Sequence, residues 1–141
     1  MSLRPSLLSM RITVAFQSML VLVQVALAGG FLGGHFDMLA IHGSLAVVIV
    51  VVALLMTVAA FFVRRSGGPK SVLPASAVVL LALVGQVMLG VTRSVTPHVL
   101  LGVVLVSAIA LLSQRVMTTP LPAKIPSASS RSEDVQPEPV K

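Results

Sequence analysis

The segment from Leu39 to Val63, LAIHGSLAVVIVVVALLMTVAAFFV, contains no charged residue and only His42, Ser44 and Thr57 as polar side chains. A helix of about 20 apolar residues crosses a hydrocarbon core about 30 Å thick, so this segment predicts a membrane span. Three more apolar runs of similar length flank it. The four predicted spans are approximately Ile12 to Leu32, Leu39 to Val63, Val72 to Val91 and Pro97 to Val116. Each run is continuous instead of alternating with period two, which predicts helices and not barrel strands.

Composition agrees with an all-α membrane protein. Of 141 residues, 56% are hydrophobic and 10% charged, and the mean hydropathy of +1.04 is far above that of a soluble domain. Nearly all of the chain lies in the spans and their short links, which leaves no soluble catalytic domain; the expected reading is a protein that is not an enzyme. The chain has no cysteine, so disulfides, thiolate nucleophiles and cysteine-ligated iron–sulfur clusters are excluded.

The basic residues predict an orientation. Arg4 and Arg11 precede the first span, Arg64, Arg65 and Lys70 lie between the second and third, and Arg115 and Lys124 follow the fourth. The opposite side carries only Arg93, with Asp37 as its single acid. By the positive-inside rule both termini are expected in the cytoplasm of a multi-pass protein of the cell membrane. The net charge of +6 then reflects topology and contact with anionic lipid. No aromatic residues are interleaved with the charges, and no nucleic-acid partner is inferred.

Local signals set the boundaries. Asp37 is placed to cap the second span, and Thr96-Pro97 to cap the fourth with proline at the first helical position. Arg64-Arg65-Ser66-Gly67-Gly68-Pro69 ends the second span with cations suited to a helix C-terminus, followed by residues that stop a helix. Pro74 falls in the first turn of the third span, where it costs little. Residues 1–119 thus form the transmembrane domain. From 120 to 141 the chain is rich in proline, serine and charge and is expected to be a disordered cytoplasmic tail. Ala26-Leu27-Ala28 has the shape of a signal cleavage site, but the apolar run before it is longer than a signal core, and the first span is expected to be retained.

The two halves repeat. Gln24-Val25-Ala26-Leu27 is followed after a glycine-rich link by His42, and Gln86-Val87-Met88-Leu89 after a shorter link by His98. With only three histidines and five glutamines in the chain, the paired Gln and His carry the signal. Short links make consecutive helices antiparallel neighbours, giving an up-down-up-down bundle of two repeated hairpins in which the second and fourth spans face each other diagonally. Ionisable groups in a membrane span are functional candidates by default. Across the diagonal, two neutral imidazoles suit the axial positions of a haem iron, with no open position left for oxygen chemistry. Ala46 and Gly102, one turn beyond each histidine on the same face, leave clearance for a flat macrocycle. Arg93, near His98, is a candidate partner for a propionate. The expected cofactor is haem b.

Blander readings stand beside this one. A histidine near a membrane interface is commonly an interfacial polar residue, and small residues in membrane helices commonly serve close packing. His35 in the glycine-rich link reads as a solvated loop residue. Gln24 and Gln86 read first as hydrogen-bonding links between helices. Gly29-Gly30 and Gly33-Gly34 lack the lysine of a phosphate loop, and the seven methionines are scattered.

The string QVALAG from Gln24 to Gly29, then Phe36-Asp37, Ile41-His42-Gly43, a basic turn and a second hairpin opening with Pro97-His98, resembles a group of small four-helix membrane proteins common in actinobacteria. The same hairpin is similar to one half of haem A synthase, whose four-helix halves hold haem between histidines of their second and fourth helices. The resemblance to the small four-helix group covers about residues 12 to 116, and the likeness to haem A synthase implies His42 and His98 as axial ligands. The chain has one such half, and Asp37 is the sole acid in its outer links. Three classes of function follow: a haem-binding electron-transfer module with a redox partner, a structural or accessory subunit of a larger membrane complex, or a small-molecule transporter. Transport ranks last because proton coupling calls for a carboxylate within a span, and no span has one.

Overall fold

A computed structural model describes residues 2–123. They form four helices, α1 (Leu3–Leu32), α2 (Met38–Arg65), α3 (Val72–Val91) and α4 (Val95–Thr118), with no strand among the described residues. All four are long and apolar enough to cross a membrane. Each packs on its two neighbours around a square, α1 on α2, α2 on α3, α3 on α4 and α4 on α1, and the backbones of the diagonal pairs stay apart. The protein is an all-α integral membrane protein with the up-down-up-down topology that the short links predict.

The helices run past the apolar windows. α1 begins at Leu3, well before the expected Ile12, because Leu3, Leu7, Met10 and Val14 recur at the three- and four-residue spacing of one helix face, and the last three of these are buried. Hydropathy alone misses these first turns, since Arg4, Ser6, Ser9 and Arg11 dilute the window. The fourth helix starts at Val95, so Ser94 and not Thr96 occupies the cap position, and neither Ser94 nor Asp37 makes a side-chain capping bond. The expected tail beyond Ala123, Lys124 included, lies outside the described residues.

The sequence repeat is also a repeat of packing. The buried positions Met10, Val14, Gln17 and Val21 of α1 correspond one for one to Val72, Ser76, Val79 and Leu83 of α3, at the same offset that relates Gln24 to Gln86. In α2, Ile49, Ala53, Met56 and Ala60 correspond to Leu105, Ile109, Leu112 and Val116 of α4, at the offset of His42 to His98. Two copies of one hairpin therefore face each other about an approximate two-fold axis running along the bundle. The apolar core fills only one end of it. Beyond Val21, Ile49, Leu83 and Leu105, toward the histidines, no residue of any helix is buried until the far side of the links.

The opposite end carries Arg4, Arg11, Arg64, Arg65, Lys70 and Arg115, and Asp37, at the histidine end, is the only acid among the described residues. Arg11 has a structural task. Its Nη2 donates to the carbonyl oxygens of Met117 at 3.0 Å and Thr119 at 2.6 Å, at the C-terminal end of α4. Those carbonyls have no partner within the helix. The contact joins α1 to α4, the one neighbouring pair that no link connects. Near the same end the hydroxyls of Ser6 and Ser66 lie 3.3 Å apart. Gln17 is fully buried on α1, and neither amide atom has a hydrogen-bond partner among the described residues.

Three helices end in the same hydrogen-bonded turn, in which the two residues after the cap donate back into the last turn. After α1, Gly34 donates to Phe31 and His35 to Gly30; after α2, Gly67 donates to Arg64 and Gly68 to Val63; after α3, Arg93 donates to Gly90 and Ser94 to Leu89. The pivotal residue has positive φ each time: 98° at Gly34, 84° at Gly67 and 57° at Arg93. Glycine meets this demand without cost, whereas a side chain with a Cβ pays about 1–2 kcal/mol. Arg93 is therefore a strained residue standing where the other two turns use glycine.

Candidate functional site

His42, in the second turn of α2, and His98, in the first turn of α4, meet across the open end of the bundle. Their ring centres are 6.2 Å apart and the ring planes cross at 62°. Both side chains are half-buried.

Each imidazole is held by the preceding helix of its own hairpin through a reciprocal pair of hydrogen bonds. In the first hairpin, Gln24 Nε2 donates to the His42 carbonyl oxygen at 3.0 Å, and His42 Nδ1 lies 3.2 Å from the Gln24 carbonyl oxygen. In the second, Gln86 Nε2 donates to the His98 carbonyl oxygen at 2.8 Å, and His98 Nδ1 lies 3.0 Å from the Gln86 carbonyl oxygen. A carbonyl oxygen only accepts, so both Nδ1 atoms carry the proton. Neutral imidazole then offers the lone pair of Nε2 as its single free ligand position. The pairing fixes tautomer and ring direction together, the arrangement that orients metal-ligating histidines.

Small residues make the fit possible. A Cβ on Gly90 would stand 3.2 Å from Cε1 of His98, and one on Gly102 would stand 3.1 Å from Nε2 of Gln86. Gly102 thus gives room to the glutamine amide, where the sequence reading assigned it to cofactor clearance. Ala46, its counterpart in the first hairpin, is half-buried one turn beyond His42. The Oε1 atoms of Gln24 and Gln86 are buried without a hydrogen-bond partner, one in each hairpin, so polar capacity remains beside both histidines.

Arg93 is exposed in the turn that leads into α4, on the same end of the bundle. His35 is exposed in the first link, outside the pair. The sequence brought forward the histidines and Arg93. It did not show that Gln24 and Gln86 clasp the backbone of the histidines, nor that Gly90 spaces one ring. The signal available was the glutamine repeating in step with the histidine.

The donor set limits what the site can hold. Among the described residues no group of three or more His, Cys, Asp or Glu side chains converges. A protein-made zinc site takes three or four such ligands. Two imidazoles suffice only when the metal arrives with other ligands of its own, as an iron porphyrin does. The spacing agrees: two imidazoles on opposite sides of one metal ion, with metal–nitrogen bonds of about 2.0–2.1 Å, have ring centres about 6 Å apart.

The fold and this site define a multi-pass membrane protein with a histidine pair on a two-fold axis. No family model, curated protein or solved structure matches the chain.

Proposed function

We propose that the protein binds haem b between His42 and His98 and serves electron transfer in the cell membrane. The observation that carries this reading is the 6.2 Å separation of two imidazoles whose Nδ1 atoms are both committed to carbonyl oxygens. His42 and His98 would hold the iron through Nε2. The Gln24 and Gln86 carbonyls keep each ring in the ligating tautomer and raise its basicity. Haem bound in this way supplies one-electron redox chemistry with both axial positions filled. Arg93 lies at the right end of the bundle to pair with a propionate, and no buried side chain packs the bundle at the level of Ala46, where a macrocycle would lie. Strain concentrated at a functional residue accounts for an arginine in a turn that favours glycine.

The charge asymmetry supports cytoplasmic termini, with the histidine end toward the outer face and a redox partner met there. Reporter fusions at Gly67 and at the C-terminus should read cytoplasmic and one at Gly34 external; an external C-terminus would overturn that orientation. The functional reading is tested by absorption spectra of detergent-purified protein loaded with ample haem, oxidised and reduced. A low-spin spectrum of bis-imidazole type is expected. Absence of any Soret band would remove the haem reading and leave the accessory-subunit reading in its place.

Arg93→Gly separates strain from function. Relief of the positive φ should raise the stability of haem-free protein by about 1 kcal/mol, while loss of the cation should weaken haem binding. Haem affinity equal to that of the original chain would end the propionate assignment.

A further inference from the structure

We infer that the groove between α3 and α4 at the basic end is a binding site for an acidic phospholipid, with an acyl chain along the groove and the phosphate on Arg115. The groove encloses about 530 Å³ and is floored by Ala75, Ala108, Leu111 and Leu112. Gln114, Arg115 and Thr118 form its rim. An apolar trough leading to one cation and the Gln114 amide matches the two parts of a phospholipid, and α3 and α4 are membrane spans, so such molecules surround it.

Two features make the site particular to this place. The repeat does not reproduce it: the first-hairpin positions equivalent to Ala108 and Arg115 are Val52 and Ala59, both buried. The groove and its cation therefore belong to the second hairpin alone. The charge balance also calls for an external anion. Six basic residues crowd this end without an acid among the described residues to meet them, and Arg11 is already committed to the carbonyls of Met117 and Thr119. Arg115 is exposed, and its guanidinium has no partner among the described residues, which suits it to the charge-assisted bonds that phosphate prefers.

The test uses the full chain, purified and stripped of lipid, with native mass spectrometry and thermal unfolding as readouts. Phosphatidylglycerol should remain bound and raise the unfolding temperature, whereas phosphatidylcholine and inorganic phosphate should do neither. Arg115→Gln and Ala108→Leu, which remove the cation and fill the trough, should each weaken phosphatidylglycerol binding about tenfold or more. Arg64→Gln, outside the groove, should change it by much less. If Arg64→Gln costs as much as Arg115→Gln, the attraction is diffuse and the site is refuted. Equal binding of phosphatidylcholine, or phosphate acting alone, refutes it too. Binding that emerges only when residues 124–141 are deleted would make the chain's own acids Glu133, Asp134 and Glu138 the occupants and overturn the lipid assignment. Arg115→Gln, a surface change, keeps the proposal testable should Ala108→Leu fail to fold.

Discussion

Replacing either His42 or His98 by alanine is expected to abolish the low-spin spectrum of the haem-loaded protein completely. Each imidazole would supply one bond to the iron, and the low-spin state would need both, so the two substitutions should act as a unit. His42→Ala with His98→Ala should be no worse than either alone. His35→Ala should leave the spectrum unchanged, since His35 is exposed in the first link and outside the pair. Damage from His35→Ala equal to that from the other two would mean that the ligands are misassigned. Gln→Leu at 24 or 86 belongs between these extremes, because the substitution removes the amide that draws the helices together but leaves the carbonyl that receives Nδ1.

Arg11→Met is expected to cost about 2 kcal/mol, the scale of a hydrogen bond to a charged group near a helix terminus. It removes both side-chain bonds to the Met117 and Thr119 carbonyls. Thermal unfolding in detergent measures the cost. Arg11→Lys should recover part of the loss through one donor in place of the fork. An unchanged unfolding temperature in Arg11→Met would show that the α1 to α4 seam is held by packing alone.

Much of the fold was legible because it rests on composition and periodicity. Four continuous apolar runs and short links determine four antiparallel spans, and the inner ends of α2, α3 and α4 fall within two residues of the expectation. α1 escaped because its first turns are amphipathic: the face of Leu3, Leu7 and Met10 is a packing signal, while a hydropathy window averages it with Arg4 and Arg11. The histidine pair was legible through its repetition, since rare residues recurring in register survive a background of leucine and valine. The clasp by Gln24 and Gln86 was not. It links a side chain to the main chain of another helix, and main-chain acceptors leave no trace in a sequence. Arg93 was read for its charge, and its backbone strain became visible only when the three helix ends were seen to share one turn.

The uneven filling of the bundle has a mechanical consequence. Interlocked side chains from Met10 to Val21 and from Val72 to Leu83, with their partners on α2 and α4, act as a fulcrum, while the ends bearing the histidines have no such interlock and form the jaws of a forceps. Local opening costs least where few apolar contacts must be broken, which places the least resistance to separation at the histidine end. Each ring is then tied to its own hairpin by its glutamine clasp, while no buried side chain fixes the gap between the two hairpins at that level.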